Sequence, residues 1–364
     1  MKILHVTRQF YPAVGGIENV ALGLCRALQA RGHECTVATL RTDFGRGTTL
    51  APEAVVEGIP VHRFRHVGPR RYPVAPAVLG LVRAHDLVHV HGIDFFVDWL
   101  SLTRAWHRRP LVISTHGGIF HTRWHSRFKT VWFRTVTRFS LTGVRAVICV
   151  SAHDDTVFAR IVGPSKRHVL TNGVDVAAFT GVRKLIEPGL LVGIGRLAVN
   201  KRVDRLVALL PEFPAVRLAW IGEDVSGMAA ALREQARALG VADRLSLLGP
   251  LPPEALRDWL ARAACFVSAA EYEAFAVSTV EAMASGTVPL VTPVGIHPEA
   301  VRDGENGWIW DFDRNAGAAL SRALATDEQD LMRMGEAARR TAQRYAWEHV
   351  VDGYLAVYHA ALER

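Results

Sequence analysis

The 364-residue chain has no long apolar run and few cysteines. No segment approaches the ~18 uninterrupted apolar residues that a membrane-spanning helix needs. The opening MKILHVTRQF also lacks the apolar core of a secretion signal. The sequence therefore predicts a protein that neither spans a membrane nor is secreted through such a signal.

The four cysteines lie far apart in apolar stretches and form no C-x-x-C pair: Cys25, Cys35, Cys149 and Cys265. Such spacing is typical of reduced thiols that fill small spaces in a core. We therefore expect a cytoplasmic protein.

Acidic residues are missing from one long stretch of the chain. Between Trp99 and His153 there are nine arginines and lysines and no carboxylate. Residues 1–180 carry 23 basic and 11 acidic side chains, whereas residues 181–364 carry 20 basic and 24 acidic ones. We expect a polyanion or an anionic surface to face the first half.

Short β-branched runs alternate with helical patterns along the chain. The strand-like runs are KILHVT, HECTVATL, DLVHVH and PLVISTH in the first half, and LLVGIGR, VRLAWIG, CFVSA and VPLVT in the second. This alternation predicts βαβ units and parallel sheets. Because the length suits two domains of ~150–200 residues, we predict an α/β fold of two doubly wound, Rossmann-like domains.

The joint between the domains is expected near TNGVDVAAF, residues 171–179, where an Asn-Gly turn precedes a polar stretch. We predict an N-terminal domain over residues 1–172 and a C-terminal domain over residues 173–345. The last helical pattern, residues 346–364, is expected to cross back onto the first domain. Ligands of such sheets bind at the carboxyl ends of the strands, so two facing domains imply a cleft.

Glu273 and Glu281 are the most informative residues of the second half. On a helix that begins just after Glu273, the second carboxylate lies ~12 Å along the axis and ~80° round it. Both carboxylates can then face one elongated ligand, although they lie farther apart than the ~5–10 Å of a glycosidase pair. A sugar joined through diphosphate to ribose fits, with its phosphates near the N–H groups of Ala274, Phe275 and Ala276. Two solvated glutamates on an amphipathic helix are the alternative.

Arg196 and Lys201 follow a strand in the segment GIGRLAVNKRVD. The same loop satisfies the dinucleotide fingerprint G-x-G-x-x-A, but no acidic residue ends the next strand at the expected distance of ~20 residues. Two cations five residues apart instead suit a diphosphate leaving group, whose growing negative charge they would stabilise. A solvated surface turn is the alternative.

These motifs, together with Gly15 and Gly16, resemble the retaining nucleotide-sugar glycosyltransferases of family 4. The shared pattern is a glycine pair, Gly-Arg followed by lysine, and E-x(7)-E followed by alanine and glycine, in that order over most of the chain. The resemblance implies the GT-B fold. Its N-terminal domain would bind the acceptor and its C-terminal domain the nucleotide sugar.

The resemblance implies that Arg196 and Lys201 hold the donor diphosphate, that Glu281 binds the nucleotide ribose, and that Glu273 lies beside the transferred sugar. It also implies transfer with retained anomeric configuration, in which the acceptor hydroxyl attacks the face that the diphosphate leaves. No protein nucleophile is then needed. Stabilisation of negative charge falls to the two cations and the helix N-terminus.

Five further positions are assigned by the same resemblance. Gly15 and Gly16 would let the backbone approach the donor phosphate and the acceptor closely. His116, at the end of PLVISTH, would reach the sugar and acceptor side and complete a catalytic set with Glu273 and the two cations. Ala274 and Ala276 replace glycines of the family pattern, so their methyl groups would narrow the pocket.

We predict no essential metal and no cofactor other than the nucleotide-sugar substrate. The D-x-D sequence at residues 311–313 follows GWIW and is interpreted as a turn. His89 and His91 are interpreted as facing opposite sides of a strand, where they could not share a metal. His121 and His125 have helical zinc-site spacing, but they lack the intervening glutamate and a third ligand.

The segment HTRWHSRFKTVWFRTVTRF, residues 121–139, mixes aromatic and basic side chains. At helical spacing its apolar residues form one stripe that is expected to pack on the sheet: Trp124, Phe128, Val131, Trp132, Val136 and Phe139. Basic side chains run beside the stripe: Arg123, Arg127, Lys129, Arg134 and Arg138. Because each can contribute ~1 kcal/mol near anionic lipid, we predict peripheral binding to the inner face of the cytoplasmic membrane.

The run THGGIFHT and this segment are similar to a narrower branch, the α-mannosyltransferases of bacterial exopolysaccharide assembly. That likeness implies GDP-mannose as donor and a cellobiosyl unit on polyprenyl diphosphate as the lipid-linked acceptor. Another family 4 transferase that uses a UDP-sugar is an alternative. An NAD-dependent oxidoreductase and a nucleic-acid-binding protein are alternatives of other classes, although no nucleic-acid-binding signature is present.

Overall fold

The computed structural model describes residues 1–117 and 130–363 of the chain. The chain divides into two compact units. The first comprises Met1–Gly173 and the C-terminal segment from Trp347, and the second comprises Val174–Ala346. No helix among the described residues is long and apolar enough to cross a membrane.

The first unit is built on an eight-stranded sheet with the order β10-β9-β8-β7-β1-β2-β6-β5. All neighbouring strands pair in parallel except β5 and β6. The strands are β1 (Lys2–Thr7), β2 (Glu34–Leu40), β5 (Glu53–Val56), β6 (Ile59–Phe64), β7 (Leu87–His91), β8 (Leu111–Ser114), β9 (Ala146–Cys149) and β10 (Arg167–Val169), with β3 (Thr42–Asp43) and β4 (Thr48–Thr49) as a separate ribbon.

Helices pack on both faces of this sheet, so its central strands are almost continuously buried. The described helices of the unit are α1 (Gly16–Ala30), α2 (Leu79–Val82), α3 (Phe95–Leu102), α4 (Arg104–His107), α5 (Arg138–Thr142), α6 (Ala152–Phe158) and the C-terminal helix Trp347–Glu363, and a π-helical turn spans Phe133–Thr137. The C-terminal helix shares one core with α1 and the sheet, through Val351, Tyr354 and Tyr358. Its predicted return to the first domain is confirmed.

The second unit contains a six-stranded parallel sheet with the order β13-β12-β11-β14-β15-β16. Its strands are β11 (Leu190–Ile194), β12 (Arg217–Ile221), β13 (Leu245–Gly249), β14 (Cys265–Ser268), β15 (Pro289–Val291) and β16 (Trp308–Ile309). Its helices are α7 (Val203–Leu209), α8 (Ala229–Ala238), α9 (Pro253–Arg262), α10 (Val277–Ala284), α11 (His297–Ala300), α12 (Ala316–Leu324) and α13 (Glu328–Ala342), so the C-terminal helix is α14.

Both sheets reverse their winding direction at one point. The reversal lies between β1 and β7 in the first unit, and between β11 and β14 in the second. The second sheet has the strand order of a Rossmann fold, and ligands of such sheets bind at the reversal, outside the carboxyl ends of the strands. The prediction of doubly wound, Rossmann-like sheets is confirmed.

The aromatic stripe predicted within residues 121–139 is wrong at Val131 and Phe139, whereas the other two described members, Trp132 and Val136, are half-buried. Val131 and Phe139 are 61% and 69% exposed, whereas Phe133 and Thr137 are buried. The Phe133 ring packs edge-on against Phe158 in the core at 5.3 Å between centroids. The buried face is therefore shifted by one residue, at the π-helical turn, where the helical repeat is longer.

Of the predicted lipid-facing cations, Arg134 and Arg138 are exposed. Arg123, Arg127 and Lys129 lie outside the described residues, as do the stripe residues Trp124 and Phe128 and the histidines His121 and His125.

Trp347, the first residue of α14, packs against two glycines. A Cβ atom added to Gly23 of α1 would lie 2.1 Å from the indole Nε1, and one added to Gly173 would lie 2.2 Å from Cδ2. Neither position can carry a larger side chain unless the indole moves. These glycines therefore let α14 approach α1 and the end of the first unit closely.

We expect Gly23→Ala to destabilise the protein by ~1–3 kcal/mol, because the new methyl group overlaps the half-buried indole of Trp347. Differential scanning calorimetry of the full chain would measure the loss as a lower Tm. Gly80→Ala is the matched control, since a Cβ there meets no atom within 4 Å, and the better helix former should leave Tm unchanged or slightly higher. An unchanged Tm in Gly23→Ala would contradict this account of the packing.

Candidate active site

The structure brings Lys201 and Glu273 together at the winding reversal of the second sheet. Lys201 follows β11 and Glu273 follows β14, so both loops leave the same edge of the sheet. The Lys201 Nζ donates a hydrogen bond to Glu273 Oε1, and the two side chains are only 16% and 14% exposed. An ammonium and a carboxylate are therefore held against each other at the edge where a ligand is expected.

Asn200 joins these two loops, and sequence reasoning missed it. Its Nδ2 donates to the carbonyl of Tyr272 at 3.1 Å, and its own carbonyl accepts from the Glu271 N–H at 2.9 Å. The signal available in the sequence was its place directly before Lys201. Arg196 of the same loop is exposed, and within the described part of the chain no partner is recorded for its guanidinium.

The helix that carries Glu281 begins later than predicted. Helix α10 starts at Val277 and not just after Glu273, so the separation calculated along one helix does not apply. Its N-cap residue is Ala276, with φ 87°, a left-handed conformation that costs a non-glycine residue on the order of 1 kcal/mol or more. The glycine that the family pattern has here would adopt this conformation freely.

This change also moves the expected backbone donors. The N–H groups of Ala274, Phe275 and Ala276 precede the first turn, and the prediction that they form the helix N-terminus is wrong. The first-turn N–H groups of α10 belong to Val277 and Ser278, because Thr279 already donates to the Ala276 carbonyl at 3.1 Å. Phe275 is instead buried and its ring packs on Tyr345 at 5.7 Å.

Glu281 lies in a site that disfavours its charge. Burial is the main cause that raises the pKa of Glu281 to about 7, and the neighbouring Asp175 carboxylate contributes to the same shift. Asp175 also accepts a hydrogen bond from the Ala178 N–H at 3.2 Å. A carboxylate in this position gains from any ligand that offers it hydroxyl donors.

His297 supports the start of α10, and sequence reasoning did not identify it. Its Nδ1 lies 2.7 Å from the Thr292 carbonyl, which only accepts, so Nδ1 carries the proton. Its Nε2 is then free to accept from the Thr279 hydroxyl at 2.9 Å. The loop after β15 is close to Glu273 as well, since a Cβ on Gly295 would lie 2.9 Å from Glu273 Cβ. The available signal was a histidine shortly after the strand run VPLVT.

In the first unit, His89 and His91 lie on the same face of β7, and the interpretation that they face opposite sides is wrong. Residues two apart in a strand share a face, and their ring centroids are 4.2 Å apart. His5 of the adjacent β1 joins them, with its Nδ1 3.0 Å from His91 Nε2. All three imidazoles are buried.

Two groups of side chains here have potential metal-ligand atoms within 4.8 Å of one another. They are His5, His89 and His91, and His5 with the thiols of Cys25 and Cys35. Both ring nitrogens of His89 are already bonded, to the Tyr358 hydroxyl and the Ser114 hydroxyl. The absence of an essential metal stays a prediction. All four cysteines are free and buried.

His116 follows β8 in a left-handed conformation, with φ 45°. Its Nε2 lies 3.1 Å from His91 Nδ1. Asp154 holds the residues on either side, because its Oδ2 accepts from the Thr115 hydroxyl at 2.5 Å and from the Gly117 N–H at 3.1 Å. Burial lowers the pKa of His116 to about 4, so the ring is neutral at pH 7. Sequence reasoning found His116 but neither His91 nor Asp154.

Gly15 and Gly16 lie at the start of α1, as its N-cap and first residue. A Cβ on Gly15 would lie 2.5 Å from the Glu18 carboxylate, and one on Gly16 would meet nothing within 4 Å. Residues 311–313 form a turn, in which the Asp313 N–H donates to Asp311 Oδ1 at 3.0 Å. The expectation of a turn there is confirmed.

Comparisons with known proteins assign both halves of the chain to glycosyltransferases. Residues 14–178 match the model of Glycosyltransferase Family 4, and residues 183–341 match that of Glycosyl transferases group 1. The GDP-mannose:cellobiosyl-diphosphopolyprenol α-mannosyltransferase of Xanthomonas campestris is 37% identical over 100% of this chain and 97% of its own. The protein with the same name from Komagataeibacter xylinus is 35% identical, over 100% and 94%.

Solved structures show the same fold. The HepE protein of Anabaena, in complex with UDP and glucose, superimposes with a TM-score of 0.79 at 20% identity and covers 99% of each chain. A sucrose-phosphate synthase from Thermosynechococcus elongatus gives a TM-score of 0.81 at 20% identity over 98% of each chain. The fold is GT-B. With a full-length relative above 30% identity and matches in both units, the chain belongs to glycosyltransferase family 4.

Proposed function

We propose that this glycosyltransferase transfers mannose from GDP-mannose to a polyprenyl-diphosphate-linked oligosaccharide, with retained configuration, in exopolysaccharide assembly. The observation that carries the proposal is full-length identity of 35–37% to three proteins named for that donor and acceptor. The basic first half, with no carboxylate between Trp99 and His153, suits the diphosphate of such an acceptor.

Lys201 and Arg196 are proposed to hold the donor diphosphate, assisted by the N–H groups at the start of α10. Without ligand, Lys201 is neutralised by Glu273. A phosphate that takes over this ammonium releases the Glu273 carboxylate to accept hydrogen bonds from sugar hydroxyls. When the phosphate replaces the Glu273 carboxylate, Lys201 keeps an anionic partner. Glu273 then lies beside the transferred sugar.

Glu281 is proposed to accept hydrogen bonds from the two ribose hydroxyls. Its raised pKa supports this role, because a hydroxyl pair would replace the hydration that burial has removed. His116, Gly15 and Gly16 of the first unit are proposed to contact the transferred sugar and the acceptor. With no protein nucleophile assigned, the acceptor hydroxyl attacks on the side that the diphosphate leaves, and a phosphate oxygen takes its proton.

An anionic membrane is the proposed partner of the exposed side chains of α3, α4 and the segment 131–139. This apolar-basic face has four large apolar residues that are 48–69% exposed: Leu102, Trp106, Val131 and Phe139. Exposed arginines lie among them in the sequence: Arg104, Arg108, Arg134 and Arg138. The two parts are adjacent, since Ser101 of α3 donates to the carbonyl of Ser140 in α5. Apolar side chains that can enter a bilayer, set among cations, suit anionic lipid.

We expect the purified enzyme to transfer mannose from GDP-mannose to cellobiosyl-diphosphopolyprenol, measured with radiolabelled donor. Lys201→Ala should lower kcat by roughly 10²–10³-fold, the usual loss when one donor to a developing oxyanion is removed. Arg233→Ala, an exposed cation on α8, is the control and should be fully active. Thermal shifts with GDP, UDP, ADP and NAD give an independent reading of the base. Stabilisation by UDP alone would replace the donor assignment with a UDP-sugar.

We expect GDP binding to weaken as the pH falls below about 7, because protonation of Glu281 removes an acceptor for the ribose hydroxyls. The Kd from calorimetry should rise up to tenfold per pH unit, since one proton must leave on binding. Glu281→Gln should bind more weakly at pH 8, without this pH dependence. Glu254→Gln, at an exposed position of α9, should behave as wild type.

The same group affects stability without ligand. Folding raises the pKa of Glu281 from 4.5 to about 7, so the folded state holds this proton more tightly than the unfolded state does. The resulting contribution to the free energy of unfolding is fully present below pH 4.5 and is lost as the pH rises through 7. The Tm of Glu281→Gln minus that of wild type should therefore be larger at pH 8 than at pH 5. Equal Tm differences at both pH values would contradict a carboxylate whose charged form the fold disfavours.

We expect the protein to float with anionic liposomes at low salt and to be released at high salt. The pair Leu102→Ser and Phe139→Ser should weaken binding by about tenfold or more, since two apolar side chains no longer enter the bilayer. Val55→Ser is the control, because Val55 is 71% exposed but lies on β5 at the far edge of the sheet. Failure of wild type to bind at low salt would remove the membrane from the proposal.

A further inference from the structure

Three imidazoles form a hydrogen-bonded chain beneath the winding reversal of the first sheet. His5 Nδ1 lies 3.0 Å from His91 Nε2, and His91 Nδ1 lies 3.1 Å from His116 Nε2. The rings of His91 and His116 are nearly parallel, 15° apart with centroids at 5.4 Å. His91 is therefore bonded at both nitrogens and is the middle member of the chain.

A neutral His91 carries one ring proton, on Nδ1 or on Nε2. The nitrogen that carries it determines which ring nitrogen of His116 is protonated. Burial and the neighbouring imidazoles lower the pKa of His91 well below its usual value, and burial also lowers that of His116, so both rings are neutral. If the His91 proton is on Nδ1, His116 accepts at Nε2 and presents an N–H at Nδ1. If it is on Nε2, His116 donates at Nε2 and presents a lone pair at Nδ1.

Among the described residues, none bonds His116 Nδ1, which is the ring nitrogen that we take to meet the ligand. No hydrogen bond to this atom is recorded within the described ranges, 1–117 and 130–363. Asp154 binds the neighbours Thr115 and Gly117, so it fixes the backbone of His116 but not its ring. Both ring nitrogens of His89, the next imidazole, are hydrogen-bonded to the hydroxyls of Tyr358 and Ser114, so His89 does not bond His116. Within the described part of the chain, His91 is therefore the residue that hydrogen-bonds the ring of His116.

We propose that His91 is a positioning residue, whose Nδ1 bond orients the ring of His116 and fixes the nitrogen state that His116 presents to the sugar or acceptor. The inference rests on the proposed function, because His116 is taken to touch the substrate. Outer partners of this kind commonly account for about 10- to 100-fold in activity.

Two substitutions separate the two bonds of His91. The amide of asparagine occupies the position of imidazole Nδ1, so His91→Asn can still bond His116 but not His5. The longer glutamine places its amide near Nε2, so His91→Gln can still bond His5 but not His116. Both are smaller or more flexible than histidine and bury a neutral amide, which makes them a matched pair.

We expect His91→Gln to lower kcat about 10- to 100-fold with little change in KM for the nucleotide sugar, and His91→Asn to stay within a few-fold of wild type. In a His116→Ala background, His91→Gln should cost nothing further, because the two residues act as one unit. Equal loss in both variants, greater loss in His91→Asn, or additive losses in the double variant would overturn the proposal. Calorimetric Tm values check that both variants fold.

A readout without turnover keeps this test separate from the donor and acceptor assignments. In full-length protein with ¹⁵N-labelled histidine, the ring nitrogen shifts of His116 should change in His91→Gln and remain close to wild type in His91→Asn. If the shifts follow this pattern but no transfer from GDP-mannose occurs, the proposed function fails and the positioning role stands. If they change equally, the positioning role fails whatever the activity.

Discussion

The reversal of winding direction in each sheet is the constraint on which the candidate sites depend. Right-handed connections that run one way from β1 and the other way from β7 place their helices on opposite faces of the sheet. Between the two strands, the carboxyl edge is left without a covering helix. The same holds between β11 and β14. Polar side chains at these edges can therefore face ligand without having to displace a packed element.

At the carboxyl edge of the second sheet, the electrostatic surroundings of Glu273 and Glu281 differ, although Glu281 lies in α10 and Glu273 lies in the loop directly before it. Glu273 has a cation in contact, whereas Glu281 has another carboxylate nearby and little solvent. Glu273 is stable as an ion pair with Lys201, so another anion must take its place there before Glu273 can bind a ligand. The Glu281 carboxylate would be stabilised by hydrogen bonds from a bound ligand. A ligand that carries phosphates and vicinal hydroxyls can do both, because its phosphates can pair with Lys201 and its hydroxyls can donate to Glu281.

The sequence was sufficient for the sheets but not for the exact start of α10 or the ring contacts in the first unit. Alternating strand and helix patterns depend on local periodicity, which the chain displays clearly. Ala276, by contrast, takes a left-handed conformation that its own side chain disfavours and that only the surrounding loops impose. The one-residue shift at Phe133 likewise follows from a π-helical turn, which a regular helical repeat cannot indicate. His91 was missed because its two-residue spacing from His89 was interpreted with the wrong face.

Trp347 has a consequence for how the chain can be divided. The polypeptide leaves the first unit after Gly173 and returns to it at Trp347, and the indole of the returning segment lies on the backbone of the departing one. Directly beyond, the Val174 N–H donates to the Tyr345 carbonyl at 2.7 Å. The two connections thus form a single joint. A chimera that exchanges residues 174–346 with a relative must therefore take both junctions from compatible parents, since a mismatch at one would be transmitted to the other.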